Sequence, residues 1–181
     1  MIRPALTLTL LAAGVGAMWA QPPERPLPKA CWPESRLVGK DTQYFYAPCN
    51  DLRTLDPAFR RGVECTLARM REHGKWETAV VFEARRSDAR QRALYAQGRT
   101  RPGVRVTNAS SARTSPHGTG FAVDVIHSRT RWDNPKFFQS LEDHAFTCGL
   151  EAGNGWRRFP DPPHLQATTW RKPTPPTTGA R

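Results

Sequence analysis

The 181-residue sequence lacks several features that would assign it to other kinds of protein. None of its four cysteines forms a Cys-x-x-Cys pair, which argues against a zinc ribbon or a thioredoxin-like motif. The sequence has no internal repeat. Its longest apolar run, residues 5–20, is shorter than the roughly 20 apolar residues that a membrane-spanning helix needs. We therefore expect one non-repetitive domain with no transmembrane segment after processing.

The apolar run has the layout of a secretory signal peptide. Arg3 precedes it, and small residues lie near its end. We predict a signal peptide over residues 1–20, cleaved after Ala17 or Ala20, and an exported protein that is periplasmic or extracellular. About 160 residues then remain, which is enough for one domain with a real core.

Two disulfides are expected of the four cysteines because the chain is predicted to be exported. Four cysteines allow three pairings, and sequence alone does not choose among them. We favour Cys31 with Cys49, which would staple the N-terminal arm, and Cys65 with Cys148, which would tie two helices together.

Acidic residues are few: 16 stand against 27 lysines and arginines, so the formal charge is +11. This balance favours a polyanionic partner. No recognised nucleic-acid motif accompanies the charge, and an exported protein meets an anionic cell wall first. We therefore predict an anionic cell-wall surface as partner and no specific nucleic acid, with a merely solvated basic surface as the alternative.

Proline content divides the mature chain into three parts. Residues 21–56 are predicted to be a Pro-rich, cysteine-bearing arm, residues 57–170 the folded domain, and residues 171–181 a disordered Pro/Thr-rich tail. Within the domain, apolar spacing and capping residues predict helices over 57–73, 88–98 and 135–148, and strands over 75–84 and 121–126. Helices and strands mix without a repeating order, which indicates a small α+β domain with a mainly antiparallel sheet packed with helices.

The helical patterns also predict which side chains face the core. In the second helix, Leu94 and Tyr95 are expected to face the core, while Arg90 points to water. In the third helix, the apolar residues Phe137, Phe138, Leu141 and Phe146 indicate the helical pattern.

Candidate chemistry begins in the segment Ser115-Pro-His117-Gly-Thr-Gly-Phe-Ala-Val-Asp124. Two glycines after His117 allow a sharp turn and a close backbone approach. If Val123 faces the core, Asp124 projects from the opposite face of the strand, which is a rigid place for a metal ligand. A Ser-His-Asp triad built on Ser115 is disfavoured because no nucleophile elbow is present.

A second segment, Asp161-Pro-Pro-His164, adds a carboxylate and an imidazole. Two prolines favour a polyproline-like conformation, which would place Asp161 and His164 on one side roughly 9 Å apart. That separation suits a metal ligand and a base acting on one bound water. A turn with Asp161 as its capping residue is the alternative.

Together these segments resemble the zinc peptidases that cleave peptidoglycan, a family of D-Ala-D-Ala carboxypeptidases, D,D-dipeptidases and L-alanyl-D-glutamate endolysins. The similarity runs from Pro57 to Gln166. It includes Ala84-Arg85-Arg86-Ser87, the Ser-x-His-x-x-Gly-x-Ala-x-Asp element at 115–124, and Gly155-Trp156 through Asp161-Pro-Pro-His164. It implies a zinc peptidase domain at 57–170 with a Zn²⁺ site on the sheet.

Carried over by position, the resemblance implies that His117, Asp124 and His164 bind zinc and that Asp161 is the general base and acid. Arg86 would stabilise the oxyanion, although Arg85 competes for that role. An Asp three residues before the last His is most similar to the endolysin branch. Alanine at 84 and the sequence Ala152-Gly-Asn-Gly-Trp156 depart from the family and leave substrate preference open.

The predicted function is that of a secreted, monomeric zinc metallopeptidase hydrolysing peptidoglycan peptide stems, as an L-alanyl-D-glutamate-type endopeptidase. Two alternative functions also involve the cell wall: that of a D-Ala-D-Ala carboxypeptidase and that of a non-catalytic cationic wall-binding protein. Nucleic-acid binding through the basic charge is a third and weaker hypothesis.

Overall fold

The computed structural model describes residues 25–73, 76 and 78–171. The predicted signal peptide at 1–20 and residues 172–181 of the predicted tail lie outside the described residues. Within the described part, no helix combines the length and the apolar character needed to cross a membrane.

A four-stranded antiparallel sheet positions the residues of interest. Its strands are β1 (Ala79–Glu83), β2 (Ala122–His127), β3 (Leu150–Ala152) and β4 (His164–Ala167), in the order β1-β2-β4-β3. All six residues of β2 are buried, as expected for a central strand. Pairing places Asp124 of β2 opposite His164 of β4 on one side and Glu83 of β1 on the other. Three ionisable side chains thus occupy one row across the sheet.

The described residues include four α-helices: α1 (Pro57–Glu72), α2 (Asp88–Ala96), α3 (Pro116–Thr119) and α4 (Pro135–Thr147). The side chains of Asp56, Ser87 and Asn134 cap α1, α2 and α4 by accepting backbone N–H bonds in the first turn. Such caps satisfy donors that have no partner inside the helix. The predicted starts of these helices therefore agree with the structure.

The core lies between the sheet and the pair α1 and α4. Phe59, Val63 and Met70 of α1 and Phe137 and Leu141 of α4 are almost fully buried. They cluster with Val123 and Val125 of β2, whose side chains point to the opposite face of the sheet from Asp124. The predicted α+β class is confirmed, and Asp124 is on the sheet face away from this core.

Both predicted disulfides are confirmed. Cys31 is bonded to Cys49 within the arm, and Cys65 of α1 is bonded to Cys148, the residue that ends α4. The second bond joins positions 83 residues apart and fixes the α1–α4 pair covalently.

The predicted side-chain directions in α2 are wrong for Arg90, Leu94 and Tyr95. Phe146, at the end of α4, is exposed. Arg90 points inward and donates to the buried Glu83. Leu94 and Tyr95 are only half-buried, and Gln91 is the buried residue of α2. The inner face of α2 thus carries polar contacts, from Arg90 to Glu83 and between Gln91 and Arg86.

The arm, defined from here on as residues 25–56, consists of short 3-10 helices and extended links. Its 3-10 segments are Lys29–Cys31, Glu34–Arg36, Gly39–Tyr46 and Leu52–Thr54. Leu37 and Cys49 are buried, and the Gly39–Tyr46 segment contacts α2.

Candidate metal centre

Three side chains from separate parts of the chain converge on one point. The Nε2 atom of His117 lies 3.1 Å from Nδ1 of His164. Oδ1 of Asp124 lies 3.3 Å from the first of these nitrogens and 3.4 Å from the second. All three residues are buried. They form a candidate metal site made of two imidazoles and one carboxylate.

His117 is held by the short helix α3 and by a backbone contact to the end of β1. Its Nδ1 lies 3.0 Å from the carbonyl oxygen of Ala84, so Nδ1–H donates there and Nε2 presents its lone pair. Gly118 allows this placement, because a Cβ at that position would come within 2.0 Å of the Ala112 carbonyl oxygen.

His164 is held in the tautomer opposite to that of His117, by a contact with Gln166 on the same strand. Its Nε2 lies 3.2 Å from Oε1 of Gln166, and the amide of Gln166 donates to Glu151 on β3. Donation from Nε2 leaves Nδ1 as the lone-pair atom facing His117. A hydrogen bond on the outer nitrogen is the usual way a protein fixes the tautomer of a metal-binding histidine.

Asp124 completes the set with an oxygen that has no other role. Among the described residues, its buried Oδ1 has no hydrogen-bond partner, while Oδ2 accepts from Arg86 at 3.3 Å. Burial raises the pKa of Asp124, but the neighbouring rings of His117 and His164 and the charge of Arg86 outweigh burial and hold that pKa well below its usual value. The group is therefore a carboxylate ready to bind a cation.

The geometry fits a zinc ion. Tetrahedral zinc with ligand distances of about 2.0–2.2 Å has its ligand atoms about 3.3–3.6 Å from one another. The three separations here are 3.1, 3.3 and 3.4 Å. Two lone pairs and an unpartnered carboxylate oxygen facing one another need a positive charge between them. A tetrahedral metal held by these three side chains would have its fourth position open.

Asp161 lies beside this point, but not in the conformation predicted from its prolines. Residues 161–164 form a turn in which the His164 N–H donates to the Asp161 carbonyl at 3.0 Å. Oδ2 of Asp161 is consequently 3.9 Å from Nδ1 of His164, so the expectation of an extended segment spanning roughly 9 Å was wrong. The alternative interpretation, a turn, is correct for the backbone.

Gly153 explains why the turn forms. Its N–H donates to the His164 carbonyl, and its own carbonyl accepts from the Asp161 N–H. A Cβ at Gly153 would lie 2.5 Å from the Asp161 carbonyl oxygen, so only glycine permits this approach. Burial raises the pKa of Asp161, and the charge of Asp124 adds to that effect while His164, His117 and Arg86 oppose it.

The two candidate arginines differ in their exposure. Arg85 is exposed, whereas Arg86 is buried and lines the cleft. Arg86 makes four hydrogen bonds, to Glu83 through Nε and Nη2, to Gln91 through Nη1 and to Asp124 through Nη2. A guanidinium has five N–H groups, so one on Nη1 has no partner in the described part of the chain.

Glu83, Gln91 and Gln166 are supporting residues that were not identified from the sequence. Glu83 is fully buried and accepts from both Arg86 and Arg90. Gln166 carried one usable signal, because a residue two positions after His164 on a strand shares its face. No such signal pointed to Glu83, because its contacts with Arg86 and Arg90 depend on how the segment after β1 turns.

The candidate site opens into a cleft of about 690 Å³. Asp161, His117, Asp124 and His164 all line it. Much of its remaining wall is aromatic, formed by Phe82, Trp132, Phe138, Trp156, Phe159 and Trp170. Trp156 lies against the ring of His164, with 5.2 Å between centroids, and its indole N–H donates to Glu151.

Comparison with known proteins supports the resemblance seen in the motifs. No protein-family model matches the chain. The chain is 36% identical over 99 residues to the peptidoglycan L-alanyl-D-glutamate endopeptidase CwlK of Bacillus subtilis (strain 168). That alignment covers 48% of this chain and 59% of CwlK, so the chain spans somewhat more than half of that relative's length.

The fold is also similar to a solved structure, the L-Ala D-Glu endopeptidase ChiX of Serratia marcescens. The TM-score is 0.50 at 24% sequence identity, and the alignment covers 65% of this chain and 83% of ChiX. The predicted resemblance to peptidoglycan peptidases is thereby confirmed in sequence and in fold. The roles of the individual site residues remain predictions.

Proposed function

We propose that this chain, as a member of the peptidoglycan-peptidase family that it resembles, is a zinc metallopeptidase that hydrolyses peptide stems of peptidoglycan. The observation that carries the proposal is the convergence of His117, Asp124 and His164 at ligand-to-ligand distances, with Asp161 beside them in one cleft. A binding protein would have no need of a carboxylate whose pKa is raised next to a three-ligand site.

Zinc held by His117, Asp124 and His164 would supply Lewis-acid polarisation of a carbonyl and a water of lowered pKa. The chain itself fixes the two imidazoles in opposite tautomers through Ala84 and Gln166. It also keeps Asp124 ionised beside Arg86. These contacts orient all three ligand atoms before any metal arrives.

Asp161 is assigned the proton transfers. Asp161 lines the cleft, and its Oδ2 lies 3.9 Å from Nδ1 of His164. Because its pKa is raised, it is a better proton acceptor than an ordinary aspartate. We propose that it takes a proton from the attacking water at Oδ2 and returns it to the leaving amine.

Arg86 is assigned the role of stabilising the negative charge that develops on the scissile carbonyl oxygen. Four hydrogen bonds fix the guanidinium plane, and the remaining Nη1–H is proposed to donate to the scissile carbonyl oxygen. A preorganised donor of this kind stabilises charge that appears only during the reaction.

The proposed bond is that between L-alanine and D-glutamate. Two observations support it: the names of CwlK and ChiX state this specificity, and an Asp precedes the last His by three residues. We further propose that the protein is exported and meets an anionic wall. The predicted signal peptide, the two disulfides and the charge of +11 support this compartment.

The test is mass spectrometry of purified muropeptides incubated with the zinc-loaded protein. We expect loss of the stem at the L-Ala to D-Glu bond, and no new fragment after chelation. Release of terminal D-Ala alone would instead indicate a carboxypeptidase. Wall binding without any fragment would favour the non-catalytic alternative.

Asp161→Ala is the variant that tests the assigned base. It should abolish cleavage while leaving zinc content and wall binding unchanged. Asp143→Ala, on the exposed face of α4, is the matched control and should cleave normally. Cleavage by the Asp161 variant at the wild-type rate would refute the assignment.

A further inference from the structure

The arm contributes none of the candidate site residues, yet it is bonded to the segment that carries Arg86. That segment, residues 84–90, leaves the end of β1 and enters α2 without regular structure in its first half. Its conformation therefore depends on contacts from outside, because no ladder or helix bonds fix its first residues.

Four hydrogen bonds from this segment end on the arm. The N–H of Ala84 donates to the carbonyl of Cys49 at 2.5 Å, and the Ser87 hydroxyl donates to the carbonyl of Phe45 at 2.8 Å. The N–H of Ala89 donates to the Glu34 carboxylate at 2.7 Å. Nη1 of Arg90 donates to the Tyr46 carbonyl at 2.7 Å. These bonds lie on both sides of Arg86 in the sequence.

Ala84 links the arm directly to a candidate metal ligand. Its N–H is bonded to Cys49, and its carbonyl accepts from Nδ1 of His117. The N–H of Arg86 donates to the carbonyl of His117 at 3.2 Å. A shift of residues 84–86 would therefore move both the free N–H of Arg86 and the ring of His117.

The Cys31–Cys49 disulfide closes the part of the arm that makes these contacts. Its two cysteines are 18 residues apart, and Glu34, Phe45 and Tyr46 lie between them. All four arm residues that bond to the segment are thus inside the closed loop or at its end. Cys49 is itself buried, so its carbonyl is held against Ala84.

We infer that the disulfide-closed arm is a positioning element of the hydrolytic site, which holds Arg86 and the ring of His117 in the geometry the reaction needs. This inference rests on the proposed function. The arm contacts no proposed reacting group, and it acts through residues 84–90.

The first test compares two double variants that each remove one disulfide. Cys31→Ser/Cys49→Ser should lower kcat about 10- to 100-fold, the loss expected when a reacting group is misplaced by about an ångström. Cys65→Ser/Cys148→Ser is the control, because that bond joins α1 to the end of α4 and does not touch residues 84–90. The Cys65–Cys148 bond closes a much longer loop, so its removal should lower stability at least as much as removal of the Cys31–Cys49 bond. A fall in kcat caused only by lower stability would therefore be at least as large in the control.

A milder pair of variants avoids the disulfide altogether. Glu34→Ala removes the acceptor for the Ala89 N–H and should lower kcat more than it changes KM, whereas Glu34→Gln keeps a carbonyl acceptor and should restore most of the rate. Glu64→Ala, on the exposed face of α1, should have no effect. Equal rates for Glu34→Ala and wild type, together with equal rates for the two disulfide variants, would overturn the inference.

Amide hydrogen exchange provides a measurement that does not depend on cleavage. Loss of the Cys31–Cys49 bond should accelerate exchange at Ala84 and Ala89, while loss of the Cys65–Cys148 bond should not. If the wild-type protein cleaved no muropeptide but this difference appeared, the proposed function would fail and the structural role of the arm would stand. Unchanged exchange at both amides would refute that role.

Discussion

At the scale of single residues, the site depends on side chains that never touch the proposed metal. Gln166 is one of them: it accepts from the outer nitrogen of His164 and is fixed in turn by Glu151. This chain of bonds decides which nitrogen of His164 faces the site.

We predict that Gln166→Leu weakens zinc binding about 10- to 100-fold, because the tautomer of His164 is then no longer fixed. Competition against a chromophoric chelator measures the affinity. Gln139→Leu, on the exposed face of α4, is the control and should bind zinc like the wild type. A Gln166 variant with unaltered affinity would show that packing alone orients the ring.

Glu83 is the second supporting residue, a fully buried carboxylate between two guanidinium groups. Glu83→Gln should lower the free energy of unfolding by about 3–5 kcal/mol, because it leaves Arg86 and Arg90 without their shared counter-charge. Urea denaturation measures this loss. Glu64→Gln breaks an exposed pair with Arg60 and should cost less than about 1 kcal/mol. Similar losses in both variants would contradict the prediction.

The sequence predicted the three ligand candidates because glycine, proline and the strand pattern surround them in a specific order. It did not predict the conformation at Asp161. The local preference of two prolines for an extended chain was overridden by two backbone bonds to Gly153, which is eight residues away in sequence. Local rules could not anticipate a turn that is stabilised by another loop.

At the scale of secondary-structure elements, helix starts were predictable and short strands were not. The N-caps of α1, α2 and α4 are visible in the sequence as Asp56, Ser87 and Asn134. Strands β3 and β4 have only three and four residues. Their pairing is non-local, and so few residues show no reliable alternation.

The start of α2 provides a prediction of pH dependence. Asp88 accepts from the backbone N–H of Ala112 and pairs with Arg92. The Ala112 bond, followed by the one to Arg92, lowers the pKa of Asp88 below its usual value. The unfolded chain therefore binds this proton more tightly than the folded chain. The stabilisation by Asp88 is complete above the unfolded pKa and is lost as the pH falls through the lower pKa of the folded state.

We accordingly expect Asp88→Asn to be less stable than the wild type at neutral pH. The difference should shrink as the pH falls below about 4, through the lowered pKa of the folded state. Unfolding free energies measured across that range provide the test. A difference that stayed constant down to about pH 2.5 would show that Asp88 does not act through its charge.

At the scale of the whole molecule, metal binding should increase the stability of the folded state. A ligand that binds only the folded state adds about 2.7 kcal/mol at 100 times its Kd. For a chain of this size we expect zinc to raise Tm by about 5–10 °C. His117→Ala should abolish the shift, and His144→Ala on α4 should retain it. Equal shifts in both variants, measured by differential scanning calorimetry, would place the metal elsewhere.

The order of the sheet has a consequence for how the protein is made. Strand β4 is the last to leave the ribosome, yet it lies between β2 and β3, and it alone brings His164 opposite Asp124. A growing chain that has not reached residue 164 holds two of the three candidate ligands and no proton acceptor at 161 in its final place. If the proposed function is correct, hydrolysis would begin only after the final strand has been inserted.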